Sequence, residues 1–199
     1  IAPEPPKNFT PTEYNLAIRD AMLDTADNLQ VVARAGSGKT SGLAWVLWQM
    51  PEQEGVESIV FAKSNQRDNR KKIPEWVPVQ TTHARGLKDI GRAFDWKRPS
   101  DHIDEWKVSN LFRDLFTDNF DLQPFRSSVR RLVSLCQNTQ QNPTPKNLEA
   151  MCERYSIEID QTMQDAIFQA AAQLLAADRI ERDKISFDDM LDFPAQGVV

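Results

Sequence analysis

The sequence predicts an α/β protein: a parallel β-sheet with crossover helices, into which an all-helical subdomain is inserted. Three observations support this class. A glycine-rich loop at residues 33–40 joins an apolar run to a helical pattern. Further apolar runs at 58–62 and 77–82 alternate with helical patterns, as in sheets built from strands and crossover helices. From 101 to 183, apolar residues recur at helical spacing with neither a strand nor a glycine-rich loop between them.

The first hundred residues are predicted to form a helix followed by short strands. A threonine, a proline and an early acid within residues 10–13 predict a helix start, and the helix runs toward Thr25. Residues 29–32 predict a short strand that leads into the glycine-rich loop, and a helix follows that loop. Residues 58–62 are apolar enough for a second, buried strand, and residues 77–82 for a third.

The insert is predicted to consist of helices alone. The apolar faces of four helices centre on Phe112, Leu132, Met151 and Leu174. Thr144, which a proline follows, is placed to cap the third of them, because a threonine oxygen can accept a hydrogen bond from the first turn.

The last residues follow the predicted helices of the insert. Asp188 and Asp189 follow an apolar residue, as the metal-binding aspartate of many nucleotide enzymes does. Residues 184–187 are too polar for a buried central strand, so we predict that Asp188 and Asp189 form a helix cap instead. The predicted organisation is a core at 1–100, the helical insert at 101–183 and the returning segment at 184–199.

Composition limits the class of protein. A chain of 199 residues holds one medium domain, or one domain with an inserted piece. Hydrophobic residues make up 40% and charged residues 27%, which is typical of globular proteins. No apolar run is long enough to cross a membrane and the start does not resemble a secretory signal, so no membrane partner is expected.

Residues 33–40, the phosphate loop, fit the pattern that binds nucleotide phosphates, with Ala33 in the place of the first glycine. Glycines let successive backbone N–H groups turn inward around a phosphate. Lys39 supplies a positive charge for the outer phosphates and Thr40 a hydroxyl for Mg²⁺. The alternative is a plain glycine-rich turn between a strand and a helix. The predicted nucleotide-binding residues of the loop are Ala35, Gly36, Ser37, Gly38, Lys39 and Thr40.

The distribution of charge indicates where nucleic acid could bind. The net charge of −5 does not by itself suggest such a partner. Residues 63–98, however, hold ten basic and four acidic residues, a net charge of +6 that leaves −11 for the rest. A local basic stretch can follow a phosphate backbone. A solvated helix face is the alternative interpretation.

With these motifs in place, the chain resembles the N-terminal part of UvrD/Rep-like superfamily 1 DNA helicases. Residues 33–40 match the phosphate loop (Walker A) of that family, alanine included. Residues 13–18 are similar to its adenine-sensing segment, in which Asn15 stands where the family usually has glutamine. Residues 61–65 and 81–86 lie where its two single-strand-contacting motifs occur, and residues 185–191 are similar to the segment that returns from its helical insert.

The resemblance implies a RecA-like P-loop NTPase fold with a helical insert, and an ATP-dependent helicase. Such a protein binds ATP·Mg²⁺, moves along single-stranded DNA with 3′→5′ polarity and separates duplex DNA. Lys39 and Thr40 would be catalytic, Thr40 as the residue that holds Mg²⁺, and Asn15 would contact adenine. The residues that would contact DNA are Lys63, Ser64, Asn65, Thr81, Thr82, His83 and Arg85.

Further expectations follow from the same resemblance. The protein would be cytoplasmic, encoded by a bacterium or phage, and active in DNA repair or replication. A second motor domain is expected C-terminal to this chain. In the family, the strand after the insert carries the Mg²⁺ aspartate and the catalytic glutamate. Since this chain ends before that strand, we expect it to be inactive as an ATPase when alone.

Two other classes remain open. One is a phosphate-loop enzyme that is not a helicase, such as a small kinase, which would need an acceptor site in the insert. The other is a non-catalytic DNA-binding or assembly module that keeps the nucleotide fold. His83 also has a simpler explanation, since a lone histidine is often a hydrogen-bonded structural residue.

Overall fold

A computed structural model of the chain describes residues 9–24, 28–34 and 36–197. The chain divides into two compact units, Ile1–Thr82 and His83–Val199. No helix among the described residues is long and apolar enough to cross a membrane.

The first unit contains three helices and two strands. Its elements are α1 (Glu13–Asp24), α2 (Lys39–Gln49), β1 (Ser58–Val60), α3 (Lys63–Arg70) and β2 (Val79–Thr81). The two strands pair in parallel, with Ser58 opposite Val79 and Val60 opposite Thr81. Since parallel strands need a crossover, α3 connects them across one face. A small core forms beneath this pair from Ala44, Leu47, Ile73, Val77 and Val79.

The predicted α/β fold with a RecA-like parallel sheet is wrong. Helix accounts for 60% of the chain and strand for 4%, so the protein is mostly helical. Within the described residues, two strands of three residues each make up the whole sheet. Parallel sheets normally have helices on both faces. Here α3 packs on the short pair, but Ile59 of β1 stays 51% exposed, so the pair is not covered on both sides.

The strand predicted at residues 29–32 is wrong, and the one predicted at 58–62 forms in part but is not buried. Leu29, Val31 and Val32 lie in an irregular segment and are 47%, 45% and 88% exposed. No described strand pairs with this segment, and an apolar run without a pairing partner cannot satisfy its backbone N–H and C=O groups as a strand. The run at 58–62 does form β1, but Ile59 and Phe61 are 51% and 78% exposed, so that strand is not buried as predicted.

The second unit is a helical bundle. Its helices are α4 (Thr82–Ala93, whose first residue closes the first unit), α5 (Lys107–Leu115), α6 (Arg126–Thr139), α7 (Pro145–Tyr155), α8 (Gln164–Ile180) and α9 (Asp189–Ala195). Three short 3₁₀ helices, Pro99–His102, Gln123–Phe125 and Gln161–Met163, precede α5, α6 and α8. The predicted cap of α7 is confirmed: the side chain of Thr144 accepts a hydrogen bond from the backbone N–H of Asn147.

The bundle buries two apolar clusters. The larger cluster lies among α5, α6, α7 and α8 and includes Phe112, Leu132, Leu148, Ile167 and Leu174, all fully buried. The smaller one joins α4 to the C-terminal segment through Ile90, Ile185, Met190 and Phe193. Gly86 permits this contact, because a Cβ atom there would lie 1.7 Å from the carbonyl oxygen of Met190.

A buried ionic network fastens α9 to the bundle. The Nζ of Lys107 lies 2.8 Å from Asp189 Oδ2, and 3.2 Å from Asp178 Oδ1 without hydrogen-bond geometry. Gln137 Nε2 donates to both carboxylates, at 2.7 and 2.8 Å. Lys107, Asp178, Asp189 and Gln137 are all 2% exposed or less. Charges at this depth are stable only when they are paired and hydrogen-bonded, so the network fixes one packing of these four helices.

The start of α9 is also held locally. The backbone N–H of Ser186 donates to Asp189 Oδ2, and the backbone N–H of Asp189 donates to Ser186 Oγ. This reciprocal pair is a capping box. A helix begins here, as predicted, instead of a metal-binding strand ending. The capping oxygen comes from Ser186, however, and the Asp188 side chain accepts no cap hydrogen bond.

Candidate functional site

The phosphate loop forms the start of α2. Gly36 and Gly38 have φ angles of 78° and 76°, which side-chain-bearing residues rarely adopt. Gly38 is the N-cap of α2 and supplies no side chain to the N–H groups of the first turn. Those N–H groups carry the positive end of the helix dipole. The loop therefore presents donors of the kind that bind anions.

Lys39 lies directly over the loop. Its Nζ donates to the carbonyl oxygens of Ala33, at 2.8 Å, and Arg34, at 2.7 Å. Thr40 is the second residue of α2 and is exposed. The predicted contact at Ala35 lies outside the described residues.

An apolar cavity of about 690 Å³ opens beside the loop. Lys39 and Ser37 line it on the loop side, and Phe9, Tyr14 and Leu43 line it elsewhere. Cavities that hold ligands of nucleotide size are typically about 300–1,000 Å³, mostly apolar with a few polar groups. The composition and volume of this cavity fit a nucleobase and sugar next to a phosphate site.

Asn15 lines the same cavity but already has a structural role. Its Oδ1 accepts hydrogen bonds from the backbone N–H of Thr12, at 2.9 Å, and from Thr12 Oγ1, at 2.8 Å. The contact to the N–H is the back-reaching half of a capping box at the start of α1. Its Nδ2 approaches Gly42, where a Cβ atom would lie only 2.6 Å away. The amide is therefore close to the predicted site, with its oxygen engaged by Thr12.

A second cavity, of about 360 Å³, places Thr40 near the first predicted DNA segment. Asn65, Asp68 and Lys72 line it together with Thr40. The Thr40 hydroxyl and the Asp68 carboxylate are oxygen ligands of the kind that Mg²⁺ prefers, but Asp68 also pairs with Lys71 at 3.6 Å and Lys72 lines the same cavity. No group of three or more His, Cys, Asp and Glu side chains that could hold a metal by itself occurs among the described residues.

The other predicted DNA contacts have different environments. Lys63 and Ser64 are exposed in the first turn of α3. Thr81 is buried in β2, with 7% of its surface exposed. Thr82 begins α4, and its Oγ1 is buried without a hydrogen-bond partner among the described residues.

His83 and Arg85 make contacts within the second unit. The His83 ring packs edge-on against Phe187, with a centroid distance of 6.0 Å and an angle of 74°. Arg85 Nε donates to Asp89 Oδ2 at 2.8 Å, one turn further along α4. The geometry of both residues is that of a packing or helix-stabilising contact.

Sequence reasoning did not find the aromatic part of the nucleotide cavity. Phe9 stands just outside the motif of residues 13–18, and Tyr14 is 82% exposed. The sequence signal that could have revealed this part of the cavity is the pair Phe9 and Tyr14, which lie on either side of the start of α1, upstream of the phosphate loop. It is weak, because such residues more often pack in a core.

No protein-family model, curated protein or solved structure matches this chain. Any assignment of function therefore has to rest on the residues and their geometry.

Proposed function

We propose that the first unit binds ATP·Mg²⁺ at the phosphate loop, and that the chain is the ATP-binding N-terminal portion of a superfamily 1 DNA helicase. One observation carries the nucleotide part. The glycine-formed N-terminus of α2, with Lys39 above it, borders an apolar cavity of about 690 Å³. The helicase part rests on the sequence resemblance at residues 33–40, 13–18, 81–86 and 185–191.

The residues of the site have separate roles in binding. The first-turn N–H groups of α2 donate to phosphate oxygens, and the helix dipole favours the negative charge. The Lys39 ammonium exchanges the carbonyls of Ala33 and Arg34 for phosphate oxygens, which are stronger acceptors because they are charged. Thr40 offers its hydroxyl to Mg²⁺, and that ion neutralises charge that develops on the phosphates. Phe9 and Leu43 provide apolar contacts for the base.

The test is calorimetric titration of the chain with ATP·Mg²⁺. Lys39→Ala should weaken binding more than tenfold, since a charge-assisted contact is worth about 1.5–3 kcal/mol. Lys71→Ala is the matched control, because Lys71 is an exposed lysine of the same unit that pairs with Asp68 on the surface at 3.6 Å. Equal ATP affinities for wild type and Lys39→Ala would refute the nucleotide site.

The helicase part is tested through coupling between nucleotide and DNA. Thr40 and Asn65 line one cavity, so a bound nucleotide and a DNA strand would contact neighbouring residues. Oligothymidylate affinity, measured by fluorescence anisotropy, should therefore differ with and without saturating ATP·Mg²⁺, and the difference should vanish in Lys39→Ala. Tight ATP binding with no effect on DNA affinity would indicate a nucleotide-binding protein that is not a helicase.

A further inference from the structure

A groove of about 570 Å³ runs along the exposed side of α4 in the second unit. Five of its residues lie on one face of the helix, and four follow the helix end. The lining residues are Ala84, Leu87, Lys88, Gly91, Arg92, Asp95, Trp96, Pro99 and Ser100. The groove contains none of the seven residues that the resemblance predicted to contact DNA, but Lys88 and Arg92 belong to the basic stretch at residues 63–98.

The end of α4 determines the shape of this groove. Asp95 adopts a left-handed conformation with φ 53°, and the backbone N–H of Trp96 donates to the carbonyl oxygen of Gly91 at 2.8 Å. This is the six-to-one bond of a Schellman motif, which turns the chain back along the helix. Gly91 also lets Pro99 approach, because a Cβ atom there would lie 2.3 Å from Pro99 Cγ. Trp96 is thereby fixed at the rim of the groove.

Trp96 is supported from behind by His102. The two rings stack in parallel, with a centroid distance of 3.8 Å and an angle of 2°. His102 is itself held in place: its Nδ1 lies 2.9 Å from the carbonyl oxygen of Asp183, and its own carbonyl accepts from the N–H of Ile185. A carbonyl can only accept, so Nδ1 carries the hydrogen in this contact. Phe94 packs against the same indole, with a centroid distance of 5.3 Å and an angle of 61°, and the smaller apolar cluster buries part of it. The indole is therefore immobilised, and the part of it that stays uncovered lines the groove.

Basic residues outnumber acidic ones around the groove, although the exposed Asp101 directly follows the lining residue Ser100. Lys88 and Arg92 line it, and Lys97 and Arg98 are exposed directly after Trp96. Asp95 is the one acidic residue of the lining. Basic side chains beside a fixed aromatic ring are the combination that binds single-stranded nucleic acid. The basic side chains pair with the phosphates, and a base stacks on the ring.

We propose that this groove binds single-stranded nucleic acid, with one base stacked against Trp96 and the adjoining phosphates on Arg92, Lys88 and Lys97. The proposal deepens the DNA-binding part of the proposed function and rests on it for the choice of partner. The groove adds a DNA contact separate from residues 81–86. Binding there should be independent of base sequence, because a stacked base is held through its ring face rather than through its edges.

The experiment measures the affinity of a fluorescein-labelled oligothymidylate, of about 12 nucleotides, by anisotropy. Trp96→Ala should weaken binding about tenfold and Trp96→Phe less, because phenylalanine keeps a smaller stacking face. Arg92→Gln should weaken binding and reduce the slope of log affinity against log salt by about one. Trp106→Ala is the matched control: Trp106 is a tryptophan of the same unit, is 66% exposed and lies outside the groove.

Melting curves followed by circular dichroism establish that each variant is folded. If Trp96→Ala does not fold, the oligothymidylate affinities of Trp96→Phe and Arg92→Gln test the proposal instead. Wild-type affinity in both of these variants overturns it. Wild-type affinity in a folded Trp96→Ala overturns it too. Tighter binding of duplex than of single strand, or binding of polyglutamate that needs Arg92 but not Trp96, would show a general charged surface instead of a stacking site.

The same variants separate this inference from the nucleotide site. Trp96→Ala should bind ATP·Mg²⁺ as wild type does, and Lys39→Ala should bind the oligonucleotide as wild type does when nucleotide is absent. If Lys39→Ala leaves ATP affinity unchanged while Trp96→Ala loses oligonucleotide affinity, the nucleotide assignment fails and the groove stands. If wild type binds no oligonucleotide, the groove proposal fails whatever the result with ATP.

Discussion

Gly36 and Gly38 show what a single residue type contributes to the candidate site. Their φ angles of 78° and 76° lie in the left-handed region, and nothing lies within 4 Å of an added Cβ atom at either position. The requirement for glycine is therefore one of backbone conformation and not of space. Because Gly38 also begins α2, its conformation sets the direction of the donors in the first turn.

Gly38→Ala should weaken ATP binding while costing only modest stability. A left-handed conformation costs a side-chain-bearing residue about 1–2 kcal/mol, so the loop would relax and turn its N–H groups away from the phosphates. Gly55→Ala is the matched control, since Gly55 has φ 85° and equally open surroundings but lies in a distant loop. Urea unfolding should show similar losses of stability in both variants, and calorimetry a loss of ATP affinity in Gly38→Ala alone. Equal ATP affinities in the two variants would contradict this role.

Asn15 is the residue whose assignment changes most once its contacts are known. The resemblance gave it the task of contacting adenine, but its oxygen accepts two hydrogen bonds from Thr12 and supports the start of α1. A side chain committed to a cap has less freedom to select a base. The sequence pattern gave its place in the cavity and did not give this second role.

At the scale of elements, helix boundaries follow local chemistry. Thr144 was expected to cap α7, and its hydroxyl accepts from the N–H of Asn147 at 3.3 Å. The proline that follows fits the first turn, where its missing N–H has no intrahelical partner in any case. Both features depend on residues within four positions of each other, so the sequence suffices to predict them.

Thr144→Ala should lower the free energy of unfolding by about 0.5–2 kcal/mol, the usual cost of losing such a cap. Thr139→Ala is a suitable comparison, because the Thr139 hydroxyl donates to the Leu135 carbonyl inside α6 and caps no N-terminus. Its effect should stay within about 0.5 kcal/mol. Thermal or urea unfolding of the two variants measures the difference. Indistinguishable stabilities would show that water replaces the Thr144 oxygen at no cost.

At the scale of the whole molecule, the buried network of Lys107, Asp178, Asp189 and Gln137 joins residues that are far apart in the sequence. Two carboxylates and one ammonium lie at the meeting point of α5, α8 and α9, and the amide comes from α6. A separate pair, Arg179 with Asp192, lies alongside at 2.9 and 3.0 Å. Burial, followed by the negative charge of Asp189, raises the pKa of the Asp178 carboxyl to about 8. The folded state therefore favours the neutral form of the Asp178 carboxyl up to about that pH.

The raised pKa of Asp178 makes the stability of the second unit depend on pH. The ordinary pKa of the carboxyl is 3.8, so an unfolded chain has released the proton above about pH 4 while the folded chain keeps it until about pH 8. Between these values the folded state binds more protons, so the free energy of unfolding should fall as pH rises and then level off above pH 8. Asp178→Asn, which is neutral at every pH, should lose most of that slope.

Urea unfolding between pH 5 and 9, with wild type and Asp178→Asn in parallel, measures this effect. Asp160→Asn serves as the control, because Asp160 is fully exposed and its pKa is lowered by hydrogen bonds from Thr162. The control should keep the wild-type slope above about pH 5, since an acid with a lowered pKa is ionised throughout that range. Parallel slopes for wild type and Asp178→Asn would mean that the proton is not on Asp178.

The sequence determined the features of this protein that depend on near neighbours. These are the glycine-rich turn before α2, the helices α5, α6, α7 and α8, the cap at Thr144 and the helix start near residues 188–189. Hydrophobic periodicity, capping oxygens and left-handed glycines act over one or two turns of chain, so they can be recognised without knowing what packs against them.

Only the tertiary structure decided the sheet, the buried charges and the aromatic surfaces. Residues 29–32 are as apolar as a strand, but a strand also needs a neighbour to pair its backbone groups, and periodicity carries no information about neighbours. Lys107 and Asp178 resemble any other charged helix residues until a core closes around them. Trp96 and His102 become a rigid stack only because the end of α4 and the segment at Asp183 bring them together. Strand pairing, burial of charged residues and aromatic stacking depend on contacts between segments that are far apart in the sequence. A local sequence pattern contains no information about such contacts.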